Sequence, residues 1–373
     1  MDETSMMAKQ DILIVGGYGT VGRRIAADLA PDALGRIVVA GRSGERATAF
    51  AGTLGYGARG RPIDVDDSIS IEAALDGVSL VVSCIDQREP HLLRAAIAHG
   101  LAYTDITPHL MQRRPTEAMQ LDAAHTGARI LLGAGLAPGI SSMFARLGAN
   151  QVGDVDRIES SVLLSIGDVF GPASRSYILD EIVLPYTVLV RGQRRAARAF
   201  GGATHVIFPP PLGRRTAYLF PFSDQVGFPE TLGANTALAR LALNPPWLGR
   251  TLAALVQLRA PALMRRHAGG RARFNRLVGS LQQRYAGHDW YGLVVEAQGA
   301  GGTVQVSLSG HGQADVTAIG AAALVNALDE GEVERPGIWF AEQIVPLGPF
   351  LDRLAARGLV PVIKGAPATH RVN

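Results

Sequence analysis

The chain has 373 residues, is 47% hydrophobic and 18% charged, and carries a net charge of +3. That length passes the size at which one core usually stops growing, so more than one domain is expected, with the composition of a well-packed α/β protein. No apolar run reaches the roughly 18 uncharged residues a spanning helix needs. The single cysteine, Cys84, excludes an intrachain disulfide and a cysteine-based metal site. The beginning Met1-Asp2-Glu3-Thr4 has no apolar leader, so the cytoplasm is the expected location.

The first predicted element is the apolar strand Ile12 to Val15, which turns through Gly16-Gly17-Tyr18-Gly19-Thr20-Val21-Gly22 into a helix over Val21 to Leu29. Glycines at this spacing let backbone approach phosphate. Gly17 suits the tight turn, Gly19 leaves room for a pyrophosphate, and Gly22 suits close packing of helix on strand, with the helix N-terminus offered to the anion. A second strand, Ile37 to Ala40, ends in Gly41-Arg42-Ser43 with Arg46 one turn on, where NAD-binding chains place an acid. Guanidinium there suits a 2′-phosphate, which points to NADP(H); as solvated loop charges the same arginines would carry no such meaning.

Strands are expected at Pro62–Val65, Leu80–Ile85, Ala102–Ile106 and Ile130–Gly133. Helices alternate with them at Glu45–Leu54, Ile69–Leu75, Pro90–His99, Pro115–Thr126 and Ile140–Ala149. This is the pattern of a Rossmann-type doubly wound parallel sheet, in which ligands gather beyond the carboxyl ends of the strands. After Asn150 the pattern changes. A strand over Arg157–Ser165, a helix over Ser174–Val190, an irregular Pro-rich region from Phe208 to Phe228 and a helical Arg-rich stretch to Tyr285 precede a hairpin, Trp290–Gln298 with Thr303–Ser309. Helices over Ala318–Leu328 and Phe350–Arg357 close the chain. The expected organisation is a dinucleotide-binding domain over residues 1–150, an inserted α+β substrate domain over 151–315, and a helical segment over 316–373 returning to the first domain.

Between Thr231 and His288 there is no Asp or Glu, while nine arginines fall between Arg240 and Arg284. Such a stretch suits an acidic or anionic partner, or else is a solvated helix face in an Arg-rich protein. Only Lys9 and Lys364 are lysines, so lysine acid/base or Schiff-base chemistry is not expected. The nine histidines show no metal-ligand spacing, and no metal is expected.

Several separate stretches resemble the saccharopine dehydrogenase-like, NADP-binding oxidoreductases: Gly16–Gly22, Ala40-Gly41-Arg42, Asp76–Cys84, Gly100–Asp105, Gly133-Ala134-Gly135-Leu136-Ala137-Pro138-Gly139 and Pro336–Glu342, the last with Ala341 where the family has proline. They cover both ends of the chain and leave the middle third unmatched. The resemblance implies that Asp64 accepts from the adenine amine and that Cys84-Ile85-Asp86 passes near the nicotinamide ribose. It also implies redox chemistry, mostly at C–N bonds of amino acids and in a minority at C=C or C=O groups. Read from the residues alone, Asp64 equally caps a turn with Asp66 and Asp67, and Cys84 reads as a buried hydrophobe.

Candidates for chemistry follow the strands. Asp105 suits a substrate ammonium or a cationic imine, and Tyr103 or His109 suits proton transfer to an amine or alkoxide, with Thr107 between them. Arg88 suits a substrate carboxylate, and Glu89 or His91 a general acid, although Glu89 beside Pro90 also suits a helix start. Pro138 and Gly139, leading to Ser141 and Ser142, begin a helix whose N-terminus suits an anion. Tyr177, with Arg175, Asp180, Arg191 and His205, offers contacts from the second domain. The expected function is NADPH-dependent reduction of an imine on an amino-bearing small metabolite by a homodimer with no nucleic-acid partner. Reduction of C=O or C=C on an apolar or carrier-bound substrate, and a non-catalytic NADP(H)-binding sensor, are the alternatives.

Overall fold

The computed structural model describes residues 10–87, 89–106, 116–168, 182, 184–258 and 269–365. The chain divides into two compact units, residues 1–132 with 321–339 and residues 133–320 with 340–373.

The first unit is built on strands β1 (Asp11–Val15), β2 (Ile37–Gly41), β3 (Arg59–Pro62), β4 (Val78–Ser83), β5 (Ala102–Asp105) and β6 (Arg129–Leu132), with β15 (Gly337–Phe340) arriving from far along the chain. Their order is β15-β6-β5-β4-β1-β2-β3. β1 to β6 pair in parallel, and the sheet reverses direction at β1/β4, the doubly wound arrangement. β1, β2 and β4 carry central apolar runs because both faces of the sheet are covered, and Ile12, Leu13, Ile14, Val38, Val39, Val81 and Val82 are almost wholly buried. Helices α1 (Gly22–Leu29), α2 (Gly44–Leu54), α3 (Ser68–Leu75), α4 (His91–Ala98) and α5 (Glu117–Thr126) connect the strands. Arg36 at the root of β2 forms a two-pronged ion pair with Asp329, binding the later return of the chain into this unit.

The second unit carries a mixed sheet, ordered β10 (Thr204–Phe208), β11 (Gly213–Leu219), β12 (Thr236–Asn244), β7 (Val155–Ser165), β13 (Trp290–Gly299), β14 (Gly302–His311) and β16 (Val362–Lys364). A hairpin of β8 (Pro185–Val190) and β9 (Gln193–Arg198) joins at β12. Helix α6 (Ile140–Val152) packs on this sheet: a Cβ on Gly148 would stand 2.9 Å from that of Ala297. Another part of the sheet buries Leu163, Phe208, Leu212, Ala217, Ala242 and Val294 together.

Several expectations are corrected. The third strand is Arg59–Pro62, not Pro62–Val65. It is an edge strand without an apolar run, held by Arg59 and Arg61 on Asp11, and it stops at Pro62 because proline lacks the N–H a ladder needs. The end of the expected 174–190 helix is instead β8, whose Tyr186, Thr187 and Val188 favour strand, and Arg191-Gly192, both at positive φ, turn it into β9. Residues 174–181 lie outside the described part. The irregular Phe208–Phe228 region contains β11 and the start of helix α7 (Asp224–Thr231). The Arg-rich stretch opens with β12, buried between β11 and β7, before helices α8 (Pro246–Gln257) and α9 (Gly270–Arg284). Of the closing segment, residues 321–339 belong to the first unit, whereas β16 extends the second sheet beside β14.

Candidate dinucleotide site

The glycine turn sits where β1 hands the chain to α1. Gly16, at φ +79°, makes the sharp bend, so the positive-φ residue is one place earlier than Gly17. Gly22 is fixed by close approach, since a Cβ there would lie 2.3 Å from the carbonyl oxygen of Gly16. Gly19, by contrast, is exposed, and a Cβ on it would meet only that same carbonyl at 3.0 Å. At the start of α1, Val21 supplies no side-chain cap and the first turn holds no acid, so the positive end of the helix is left to an outside anion. Thr20 and Val21 complete this segment. The end of β4 meets the same turn: the Ile85 side chain lies against Gly16, whose Cβ would stand 2.7 Å from Ile85 Cγ2. Cys84, Ile85 and Asp86 are therefore gathered beside the glycines.

At the end of β2, Arg42 and Arg46 are exposed. Ser43 caps α2, accepting from the backbone N–H of Arg46 at 3.3 Å. The Arg46 guanidinium lies over the Tyr18 ring, 4.7 Å from its centre. Asp64 is exposed in a turn where its Oδ1 accepts from the N–H of Asp66 at 3.1 Å, and Asp67 caps α3. Glycines that leave room for a pyrophosphate, an uncapped helix start and two exposed arginines after the second strand form a donor set that fits a phosphorylated dinucleotide.

Across the sheet, Ala40, Val15, Ser83, Asp105 and Leu132 stand in one register at the carboxyl ends of their strands. Two of them are polar and buried. The hydroxyl of Tyr103 donates to Asp105 at 3.1 Å, and Gln87 donates to Ser83 at 3.3 Å while accepting from the N–H of Leu92. Burial, and then the Asp105 charge, push the Tyr103 phenol well above its ordinary range, so at neutral pH it stays a proton donor. The same two causes raise the Cys84 thiol, which makes it unreactive rather than nucleophilic. Ser83 and Gln87 are site residues that sequence pattern alone does not mark: a serine closing an apolar strand and a glutamine four residues later carry no periodic signal.

His109, Thr107, Arg88, Tyr177, Arg175 and Asp180 lie outside the described residues. Glu89 and His91 are exposed at the start of α4. Pro138 and Gly139 are buried in the loop before α6. Ser141 and Ser142 do not face an open anion site. They stand beside two of the chain's own acids: Asp224, which also accepts from Ser160 at 3.1 Å, and Glu342, which accepts from Thr231 at 2.9 Å. Burial is the first cause of the raised pKa of both, and Glu342 is pushed up to about 7. Arg191 forms the β8–β9 turn with its N–H on Thr236, and His205 is exposed on β10. Arg240 is not part of a basic surface; it is buried on Glu159, while Arg250, Arg273, Arg276 and Arg284 are exposed. Among the described residues, no helix is long and apolar enough to cross a membrane, and no three His, Cys, Asp or Glu side chains gather as a metal site would require.

Fold and turn together define a dinucleotide-binding α/β domain joined to a mixed-sheet unit. The family model for the saccharopine dehydrogenase NADP binding domain matches residues 12–128. The fold is similar to that of apo saccharopine dehydrogenase (L-Glu forming) from Saccharomyces cerevisiae, with a TM-score of 0.67 at 15% identity over 95% of this chain and 99% of that one. A curated trans-acting enoyl reductase from Mycobacterium leprae (strain TN) is 32% identical over 133 residues. That match takes in 34% of this chain and only 32% of the enoyl reductase. Residues 12–128 are thus similar to a saccharopine dehydrogenase NADP binding domain, and the cofactor that this domain supports is NADP(H).

Proposed function

We propose that the protein is an NADPH-dependent reductase that delivers hydride to the C=N bond of an amino-bearing small metabolite. The backbone of Gly17, Tyr18, Gly19, Thr20, Val21 and Gly22 would hold the pyrophosphate, the side chains of Arg42, Ser43 and Arg46 the 2′-phosphate, Asp64 the adenine, and the backbone of Cys84 with Ile85 and Asp86 the nicotinamide ribose. NADPH supplies the hydride when bound. The rest of the task falls to side chains that bind and orient the substrate.

The observation that carries this reading is Asp105, a carboxyl at the carboxyl end of β5, held by the Tyr103 hydroxyl at 3.1 Å. A fixed negative group favours the protonated iminium over the neutral imine, and only the iminium is a good hydride acceptor. Addition of hydride to an enoyl or carbonyl group instead builds negative charge, which the same carboxylate would oppose. Tyr103 keeps its proton and steadies Asp105, while His109 would exchange protons with the product amine and Arg88, Pro138, Gly139 and Tyr177 would contact the substrate. The test is NADPH consumption with aldehyde-plus-amine mixtures, ketones and enoyl thioesters. Turnover on the amine mixtures that falls in Asp105→Asn supports the proposal; turnover on enoyl thioesters alone overturns it.

A second reading, reduction of C=C on an apolar or carrier-bound substrate, has one specific support: the 32% identity to the trans-acting enoyl reductase. The exposed Arg250, Arg273, Arg276 and Arg284 would then receive an acidic carrier or another anionic partner. A homodimer is proposed for either reading, with size measurement in solution as its test.

A further inference from the structure

Tyr18 stands inside the glycine turn, where the fold itself asks for nothing larger than a small residue, yet its side chain makes three separate contacts with the end of β2. Its ring lies across Gly41, so that a Cβ there would come within 2.6 Å of Tyr18 Cε1. Its hydroxyl accepts the backbone N–H of Ser43 at 3.2 Å, immediately before α2. Its face carries the Arg46 guanidinium at 4.7 Å. In addition, the Tyr18 carbonyl accepts from Arg23 at 3.0 Å, which fixes the backbone from which the ring projects.

These contacts have a common effect on Arg46. An exposed arginine samples many rotamers, and immobilising it on a ligand costs conformational entropy. An aromatic ring beneath the guanidinium removes much of that freedom beforehand while leaving the N–H groups at its edge free to point outward. The hydroxyl contact fixes the Ser43 backbone in the same way. We propose that Tyr18 is a positioning residue for cofactor selectivity: it presets Arg46 and the Ser43 turn for the 2′-phosphate, and so sets the preference for NADPH over NADH. The proposal rests on the reading of Arg42, Ser43 and Arg46 as the 2′-phosphate end. It gives a physical reason for a glycine at 41, since any side chain there would displace the ring that holds the arginine.

The test is calorimetric titration of the full chain with NADPH, NADH and adenosine 2′,5′-bisphosphate, for the native protein and for Tyr18→Leu, Tyr18→Phe, Arg42→Ala, Arg46→Ala and Tyr18→Leu/Arg46→Ala. Tyr18→Leu is expected to weaken NADPH and the bisphosphate by about 2–5-fold, the scale of an exposed cation–aromatic contact, with NADH unchanged. Tyr18→Phe keeps the ring and should lose less. In the Arg46→Ala background, Tyr18→Leu should add little, because the ring then has no guanidinium to hold. Unchanged NADH affinity also reports that each variant is folded. Equal weakening of NADPH and NADH by Tyr18→Leu, or losses that multiply in the double variant, would overturn the role of Tyr18. If Arg46→Ala and Arg42→Ala both leave the NADPH preference intact, the 2′-phosphate assignment itself fails, an outcome separate from failure of Tyr18 alone.

Discussion

The hydroxyl of Tyr103 donates to Oδ2 of Asp105, 3.1 Å away, at the aligned end of a parallel sheet where neither residue exposes more than 1% of its surface. A buried carboxyl that loses a donor is left with part of its desolvation cost uncompensated. Tyr103→Phe is therefore expected to lower unfolding stability by about 1–3 kcal/mol. Urea titration followed by circular dichroism checks it, and a change of a few tenths would show that the hydroxyl contributes little.

Glu342 gives the second unit a pH dependence of defined sign. Its carboxyl is pushed from 4.5 up to about 7, by burial first, so the folded state holds a proton that the unfolded chain has released. Its contribution is fully present below 4.5 and is lost as pH rises toward about 7. Asp224 adds like charge, while Thr231 and Ser142 favour ionisation. Glu342→Gln keeps the acceptor for Thr231 without the ionisation. It should flatten the fall in melting temperature between pH 5 and pH 8 and leave the variant about 1–3 kcal/mol more stable than the native chain at pH 8. Parallel profiles for the two proteins would contradict this.

Cys84 should behave as an inert side chain. With its thiol raised by burial and by Asp105, labelling by a disulfide reagent at pH 7.5 is expected to be slow in the native protein and rapid in denaturant. Cys84→Ser should bind NADPH nearly as tightly as the native chain. Fast native labelling, or loss of binding in the serine variant, would reverse the assignment.

Gly22→Ala places a methyl group 2.3 Å from the Gly16 carbonyl oxygen, so turn or helix must shift. The variant is expected to lose NADPH affinity by at least about tenfold and to melt several degrees lower, the result of overpacking at a backbone contact. Native affinity and melting temperature together would show that the turn yields freely.

The first unit was legible because its signals are local. Continuous apolar runs such as Ile12–Val15 and Leu80–Val82 carry their own evidence of burial on both faces, and Gly19, Gly22, Arg42 and Arg46 occur at fixed offsets from strand ends. The polar edge strand Arg59–Pro62 was misplaced because its support comes from Asp11, far away in sequence. In the second unit the alanines and leucines of β12 suit helix or strand alike, and β8 is only six residues long, so neighbouring strands decide both. The meeting of Ser142 with Glu342, two hundred residues apart, leaves no trace in either local sequence. Tyr18 occupied an expected position, yet its hold on Arg46 depends on where β2 ends relative to β1, which only the folded sheet fixes.

The glycine turn and the arginine-lined end of β2 together are assigned to NADP(H). Tryptophan fluorescence of the full chain, titrated with NADPH and with NADH in the native protein and in Arg42→Asp, tests this assignment most directly. Native affinity for NADPH is expected at least about tenfold above that for NADH, the scale of one charge-assisted phosphate contact, with a marked narrowing of that gap in the variant. Absence of affinity for either nucleotide in the folded native protein would contradict the assignment.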